Sequence, residues 1–347
     1  MKRYLVLAEG YSDDPHYGKT MRGVVSYGQH PVVAILDSER PGESYKGIPI
    51  VASVADALPF EPTTALVGVA VAGGRLGPEW RGIIREAIAA GLDVEAGMHE
   101  FLADDPEFAD LARRHGVELR DLRRPPADLS VSSGANFEHG AAVVLTVGSD
   151  CAIGKKTVAI ALDRESHRRG LRSVFVPTGQ TGIMIAGWGI AVDAVISDYL
   201  AGAAERLVVE GARRGDLLWV EGQGALLHPQ FSGVTLGLYH GSAPHALVLC
   251  HLAGATEIEG CPGHAIPPLA ELVELHERAA LPVRPAKVAA VALNTRTLCD
   301  AEARRAIEAA EEETGLPADD PVRFGAGRLV EAVVARLPIT SRIESSV

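Results

Sequence analysis

The sequence predicts an α/β protein: a Rossmann-like N-terminal domain followed by a P-loop NTPase-like α/β domain with a mainly parallel sheet. Three observations predict it. Short apolar runs alternate with helical patterns along the whole chain. Residues 142–157 read as a buried strand, a glycine-bounded loop, a Gly-Lys pair and the start of a helix. The stretch Leu122–Asn136, rich in Arg, Pro and Ser, separates two such series. The domains are therefore placed at 1–125 and 141–347, with a linker at 126–140.

In the N-terminal series, residues 4–8 and 31–36 read as strands. The second ends at Asp37, where an acidic residue of a dinucleotide fold holds a ribose hydroxyl. The first turn lacks the glycine fingerprint of such folds. Gly18-Lys19-Thr20 mimics the end of a P-loop, but no strand runs into it, so it reads as the start of a helix. A third strand is expected at 64–71, followed by Gly73-Gly74 and a helix at Pro78–Ala90. A strand at Leu92–Val94, a helix at Pro106–His115 and a strand at Val117–Leu119 complete the series.

The C-terminal series opens with Ala142–Val147, an apolar run typical of a parallel strand buried on both faces. The loop Gly148-Ser149-Asp150-Cys151-Ala152-Ile153-Gly154-Lys155-Lys156-Thr157 follows. Glycines let backbone N–H groups converge on phosphate oxygens, and the helix start and Lys155 add positive charge. The usual hydroxyl after the first lysine is replaced by Lys156, with Thr157 one position later. That weakens standard Mg-ATP chemistry more than phosphate binding.

Strand Ser173–Pro177 leads to Thr178-Gly179-Gln180-Thr181-Gly182, then Gly187, Gly189 and Asp193. Glycines just beyond a strand's carboxyl end suit a ligand-lining loop. A long helix is expected from Asp193 to Arg213; Asp193 and Asp198 either face a ligand or favour the helix dipole. Strand Leu217–Val220 ends at Glu221, which suits either Mg²⁺ binding, together with Thr157, or general-base work. His228 and His240 are candidates for substrate contact or proton transfer, and Gly241-Ser242 follow His240. Strands at 246–250 and 288–293 flank a helix at 269–279. Asn294, at a late strand end, is a candidate for reading a nucleotide base. Helices at 300–314 and 327–336 precede a loosely ordered tail, Ile339–Val347.

Composition narrows the function. The chain has 347 residues, 47% of them apolar, and a net charge of −12. Such an acidic surface argues against nucleic-acid binding. No apolar run is long enough to span a membrane, and the N-terminus is a poor signal peptide. Cys151, Cys250, Cys261 and Cys299 are widely spaced, as reduced cytoplasmic thiols are. His251, Cys261 and His264 form no tight zinc pattern. A cytoplasmic protein is expected, and a homo-oligomer, with Ala-rich helices at the interface.

The motifs at 148–157, 177–182 and 220–224 resemble, in order, those of dethiobiotin synthetase, a P-loop ATP-dependent ligase. A closer resemblance spans almost the whole chain. The doubled lysine and the stretch His228-Pro-Gln-Phe-Ser-Gly-Val-Thr-Leu-Gly-Leu-Tyr-His-Gly-Ser242 look like the D-glutamate N-acetyltransferase (DgcN-like) family. That resemblance implies acetyl transfer from acetyl-CoA to the amino group of D-glutamate or a related acidic amino acid. CoA's phosphates would lie on residues 148–157 and near Asn294. Lys156 would add charge for phosphate or substrate carboxylate. Glu221, or else His240, would take the amine's proton. Thr178–Gly182, Asp193, His228, Gly241 and Ser242 would hold the substrate. The alternative is an ATP- and Mg²⁺-dependent ligase or kinase with Thr157 and Glu221 on the metal. A third reading is a nucleotide-binding regulatory protein.

Overall fold

The computed structural model describes residues 1–70, 74 and 77–337. The chain divides into two compact units, Met1–Pro125 with Ile183–Ala194, and Pro126–Gly182 with Val195–Val347. The short segment Ile183–Ala194, expected with the second domain, thus clusters with the first.

The first unit is a seven-stranded sheet. Its strands are β1 (Tyr4–Leu7), β2 (Val32–Leu36), β3 (Ser44–Tyr45), β4 (Ile48–Val51), β5 (Thr64–Val67), β6 (Asp93–Ala96) and β7 (Leu119–Asp121). Their spatial order is β3-β4-β2-β1-β5-β6-β7, and only the short β3–β4 hairpin is antiparallel. The hairpin, absent from the sequence reading, has one strand of only two residues and another interrupted by Pro49. The strand expected at 64–71 ends at Val67, and Val71 and Gly73 lie outside the described residues, as does the tail Ile339–Val347.

The helices of this unit are α1 (Lys19–Tyr27), α2 (Val54–Ala57), α3 (Pro78–Ala89) and α4 (Pro106–His115). Trp80, Ile84 and Ile88 recur at every fourth position of α3, so one face of the helix is apolar. That face packs with Leu5, Leu7, Val67 and Val94 in one core. α4 starts where Asp105 accepts hydrogen bonds from Glu107 N and Phe108 N, and stops at Gly116 in the left-handed region.

Asp37 does not present a free carboxylate to a ribose. It is buried and accepts hydrogen bonds from Gly10 N, Ser12 N, Ser12 Oγ and Glu39 N. A carboxylate with that many donors pins the turn after β1. Asp193 also belongs to this unit, and Arg123 Nη1 donates to its carboxylate. Its expected place at the head of a long helix is corrected. Val192–Ala194 forms only a 3₁₀ turn, and the helix proper begins at Leu200.

The second unit has six strands, all parallel: β8 (Ala142–Gly148), β9 (Ser173–Val176), β10 (Leu217–Val220), β11 (Ala246–Leu252), β12 (Lys287–Asn294) and β13 (Ala318–Asp319). Their order is β13-β12-β11-β8-β10-β9. Helices α5 (Lys155–Arg168), α7 (Leu200–Ala212), α8 (Ser232–Ser242), α9 (Leu269–Ala280), α10 (Asp300–Thr314) and α11 (Gly327–Val334) belong to it, and α6 (Gln180–Ala186) begins in it. Of the expected glycine-rich loop at 178–182, Gln180–Gly182 forms the first turn of this helix.

α7 and α8 pack closely, and small residues make this possible. A Cβ on Gly241 would stand 2.1 Å from the Ala201 carbonyl oxygen and 2.5 Å from the Ala204 Cβ. Ser242 is buried and its hydroxyl donates to Leu238 O one turn back. Asn136 Nδ2 donates to the carbonyls of His240 and Gly241, tying the segment before β8 to the end of α8. Gly241 and Ser242 are thus packing residues, not substrate contacts, and the His240 side chain is exposed. The sequence placed them in a site because helix α8, with glycine, serine, threonine or histidine at seven of its eleven positions, reads as a loop.

Two consequences are measurable. Gly241→Leu forces α8 off α7 and is expected to cost at least about 2 kcal/mol, lowering the unfolding temperature by about 4–8 °C. An unchanged midpoint in a calorimetric scan would refute the close approach. Beneath α8, Tyr239 OH lies 2.6 Å from His276 Nδ1 on α9. Burial pushes His276 down to about 4. Its folded value lies below the usual ~6.5, so its contribution is intact above that pH. Stability is lost as pH falls towards 4, because the unfolded chain then binds a proton that the folded chain refuses. His276→Gln keeps an acceptor for Tyr239 and does not titrate. Its unfolding temperature is expected to fall less steeply than the parent's as pH drops from about 6.5 to about 4.5. Equal slopes would assign the effect elsewhere, for instance to His245, which burial also lowers to about 4.

Candidate functional site

Because β8 and its neighbours are parallel, their carboxyl ends open on one edge of the sheet, where ligands of such sheets sit. Four loops meet there: 148–154 after β8, 177–180 after β9, 221–224 after β10 and the turn beyond β11.

The first loop is built to expose backbone N–H groups. Gly154 stands at φ +116°, a conformation that excludes side chains, and directly precedes the first turn of α5. Lys155 is buried. Its Nζ donates to Asp150 O at 2.5 Å, so the lysine folds back over the loop. Burial lowers its pKa, opposed by Cys151, Cys250, Asp150 and Glu221 around it. Asp150 is buried too; its Oδ1 accepts from Cys151 N at 2.6 Å and its Oδ2 from Glu259 N at 2.7 Å. Ser149 N donates to Cys250 O, and Ser149 Oγ lies 2.9 Å from His251 Nδ1. Lys156 and Thr157 are half-buried in the first turn of α5. His276 lies against the backbone of Gly148 from below.

Asn294 is placed differently from the expectation. Its Nδ2 donates to Ile153 O at 2.8 Å and its Oδ1 accepts from Arg296 N at 3.2 Å. With each end of the amide engaged once, it braces the phosphate loop.

Glu221 joins the second and third loops. It is 4% exposed. Oε2 accepts from Thr178 N at 3.0 Å and Gly179 N at 3.3 Å, and the Thr178 hydroxyl donates to Glu221 O. The carboxylate therefore sits at the N-terminus of α6, where an anion is favoured. A Cβ on Gly182 would fall 2.3 Å from Oε2, so only glycine leaves room for this carboxylate. Across β10, Thr146 Oγ1 donates to Val220 O and accepts from Gly222 N, which locks the strand end beside the phosphate loop. Gln180 is half-buried and Thr181 buried in the same helical turn.

His228 is brought to this edge although it lies far along the chain. It is 4% exposed, and its ligating atom, the Asp150 carboxylate and Cys151 Sγ lie within 4.8 Å of one another. The sequence reading missed this cluster, and also Asn136, Thr146 and the Ser149–His251 pair. Gly241 and Ser242 stand elsewhere in this unit, as described above, and Asp193 belongs to the first unit. His240 lies about 12 Å along α8 from the start of that helix. His251 approaches Ser149, and no metal cluster including Cys261 or His264 occurs among the described residues.

The arrangement suits a phosphate-bearing ligand on residues 148–157, with a buried carboxylate and a buried histidine beside it. Known proteins have the same construction. Residues 130–330 match a family described as "Domain of unknown function (DUF1611_C) P-loop domain". Residues 38–125 match its "DUF1611_N" Rossmann-like domain. A protein of Tritonibacter scottomollicae named D-glutamate N-acetyltransferase is 39% identical over 279 residues, 78% of this chain and 81% of that protein. One of the same name from a Pseudoalteromonas species is 34% identical over 288 residues, 82% of this chain and 84% of that one. The crystal structure of a protein of the matching family from Anabaena variabilis superposes with a TM-score of 0.92 at 39% identity. It covers 96% of this chain and 100% of that one. No described helix is long and apolar enough to cross a membrane.

Proposed function

The chain belongs to the DUF1611 family, and on that basis we propose that it moves an acetyl group from acetyl-CoA to the amino group of D-glutamate or a related amino acid. It is an enzyme, an acyltransferase with a P-loop domain. The observation that carries the reading is the meeting of the phosphate loop with the Glu221-capped turn at Thr178–Gly179. Relatives of this length and identity bear the acetyltransferase name.

The chemistry assigns the roles. CoA carries a pyrophosphate and a 3′-phosphate, which the N–H groups of residues 148–154, the start of α5 and Lys155 attract without hydrolysing. Lys156 adds a second charge for phosphate or for the acceptor's carboxylate. Thr178, Gly179, Gln180, Thr181 and Gly182 line the acceptor side. Of the two proton acceptors foreseen, Glu221 is retained and the exposed His240 is not. The Thr178 and Gly179 amides hold the Glu221 carboxylate in place. Backbone N–H groups of a second glycine loop offer donors for the thioester oxygen as charge develops on it. The chain acts in metabolism of acidic D-amino acids, in the cytoplasm and as a homo-oligomer.

The alternative is an ATP- and Mg²⁺-dependent ligase with Thr157 and Glu221 on the metal. It is less favoured because Glu221 Oε2 already accepts two amides and because Lys156 occupies the usual hydroxyl position. Thiol release from acetyl-CoA in the presence of D-glutamate is the test. ADP release from Mg-ATP, with no thiol, would replace the transferase by the ligase.

Lys155→Ala is expected to abolish acetyl-CoA binding in a calorimetric titration, while the unfolding temperature stays within a few degrees of the parent's. Retained binding would sink the phosphate-loop assignment. Glu221→Gln is expected to lower kcat about tenfold or more, the smaller end of what a positioned base contributes. A parent-like kcat would make Glu221 purely a cap for α6.

A further inference from the structure

Glu221 and Gln223 share the turn after β10, and the fold fastens their side chains differently. The main chain of Gln223 is fixed. Its carbonyl oxygen accepts a hydrogen bond from the Thr235 hydroxyl at 2.8 Å. On one side, Gly222 N donates to Thr146 Oγ1 at 2.9 Å, and a Cβ on Gly222 would stand 1.9 Å from the Thr146 carbonyl oxygen. On the other, Gly224 has φ +66°, and a Cβ there would stand 2.1 Å from the Phe231 carbonyl oxygen. Glycine is required at both flanks, and the side chain of Gln223 stands alone between them.

The carboxamide of Gln223 rests on Gly179. A Cβ on Gly179 would fall 2.1 Å from Gln223 Nε2, and the three nearest atoms it would meet all belong to that carboxamide. Gly179 N donates to Glu221 Oε2, so the carboxylate and the carboxamide lie against the same residue. Gln223 is half-buried, its amide is open to solvent, and among the described residues the amide has no hydrogen-bond partner. Its neighbours at this edge are engaged. Backbone amides hold Glu221 and Asp150, the Asp150 carbonyl holds Lys155, His251 meets Ser149, and Asn294 braces the phosphate loop. An unbonded carboxamide that a fixed turn delivers to the ligand edge of a parallel sheet is placed for a ligand.

We propose that Gln223 binds a carboxylate of the acceptor amino acid and so selects amino acids over simple amines. The inference rests on the acetyl-transfer reading above, in which the acceptor's amine lies against Glu221. A carboxylate of the acceptor is repelled by Glu221 and requires N–H donors close by. A lysine or arginine at position 223 would pair with Glu221 and occupy it. A carboxamide offers two N–H donors and no charge, so it holds the acceptor and leaves Glu221 free for the amine. Gln223 belongs to the turn after β10 and touches the loop after β9, so this contact leaves residues 148–157 to the phosphates of CoA.

The purified full-length protein is first assayed for CoA release with acetyl-CoA and D-glutamate, which tests the underlying reading by itself. Gln223→Ala is then expected to raise the KM for D-glutamate about 10- to 100-fold, the loss of a hydrogen bond to a charged group. The KM for acetyl-CoA and the unfolding temperature should match the parent's. Gln223→Glu, of equal size but negative, is expected to raise the KM for D-glutamate further. In Gly179→Ala the new methyl displaces the carboxamide and keeps the N–H that caps Glu221. It should reproduce the effect of Gln223→Ala, and the double variant should be no worse than either single one. D-α-aminobutyrate lacks the side-chain carboxylate of D-glutamate, and γ-aminobutyrate lacks the α-carboxylate. The analogue that inhibits parent and Gln223→Ala equally identifies, by what it lacks, the carboxylate that Gln223 holds. Weaker inhibition of Gln223→Ala by both would overturn the proposal, because the amide would then contact the amine they share. A KM for D-glutamate within about twofold of the parent's in Gln223→Ala, too small a change for a lost charged hydrogen bond, would also overturn it. So would a KM lowered by Gln223→Glu, or losses that add in the double variant. A parent that releases no CoA removes the premise and the proposal together.

Discussion

A buried ammonium group must be compensated, and the candidate site is arranged around that requirement. Lys155 is enclosed at the junction of β8 and α5, and burial works against its charge. The Asp150 carbonyl accepts a hydrogen bond from its Nζ, and Cys151, Cys250, Asp150 and Glu221 supply negative potential around it. Each of these groups is itself held. Amides of Cys151 and Glu259 fasten Asp150, and amides of Thr178 and Gly179 fasten Glu221. A positive centre on a short leash, ringed by fixed dipoles, suits phosphates that arrive with their own negative charge.

The second constraint is the parallel sheet. Parallel pairing sets every strand end on the same edge, so residues distant in sequence become neighbours without any local signal. β8 pairs with β10 on one side and β11 on the other, and β10 pairs with β9. This register delivers Gly148, Glu221 and Thr178 together. The Thr146 hydroxyl, between β8 and the turn at Gly222, ties two of the strand ends further.

The residues that failed as ligands failed for physical reasons that a linear reading does not contain. Asp37 and Asn294 are polar side chains at strand ends, the pattern of ligand contacts. The folded chain gives their hydrogen bonds to its own backbone instead. Gly241 and Ser242 follow a histidine in a glycine-rich stretch, the pattern of a binding loop. In the fold the glycine is the point where two helices touch. In both cases the same chemical property, a free donor or a missing side chain, serves packing as readily as recognition.

What the sequence determined by itself was local and periodic. The apolar run Ala142–Val147 before a glycine loop and Gly-Lys predicts β8, the phosphate loop and α5, because strand, loop and helix there are adjacent in the chain. Strand and helix alternation predicts the α/β class and most elements to within a few residues; α4 runs from Pro106 to His115 as its cap and stop residues dictate. Glu221 was legible because it ends an apolar strand. Only the tertiary structure decided which of the polar residues share the site. His228 lies 77 positions beyond Cys151, and nothing in the spacing couples them. It is the folding of the chain after β10 that sets a buried imidazole beside the loop. Hydrogen-bond satisfaction and close packing depend on neighbours in space, and a sequence names only neighbours along the chain.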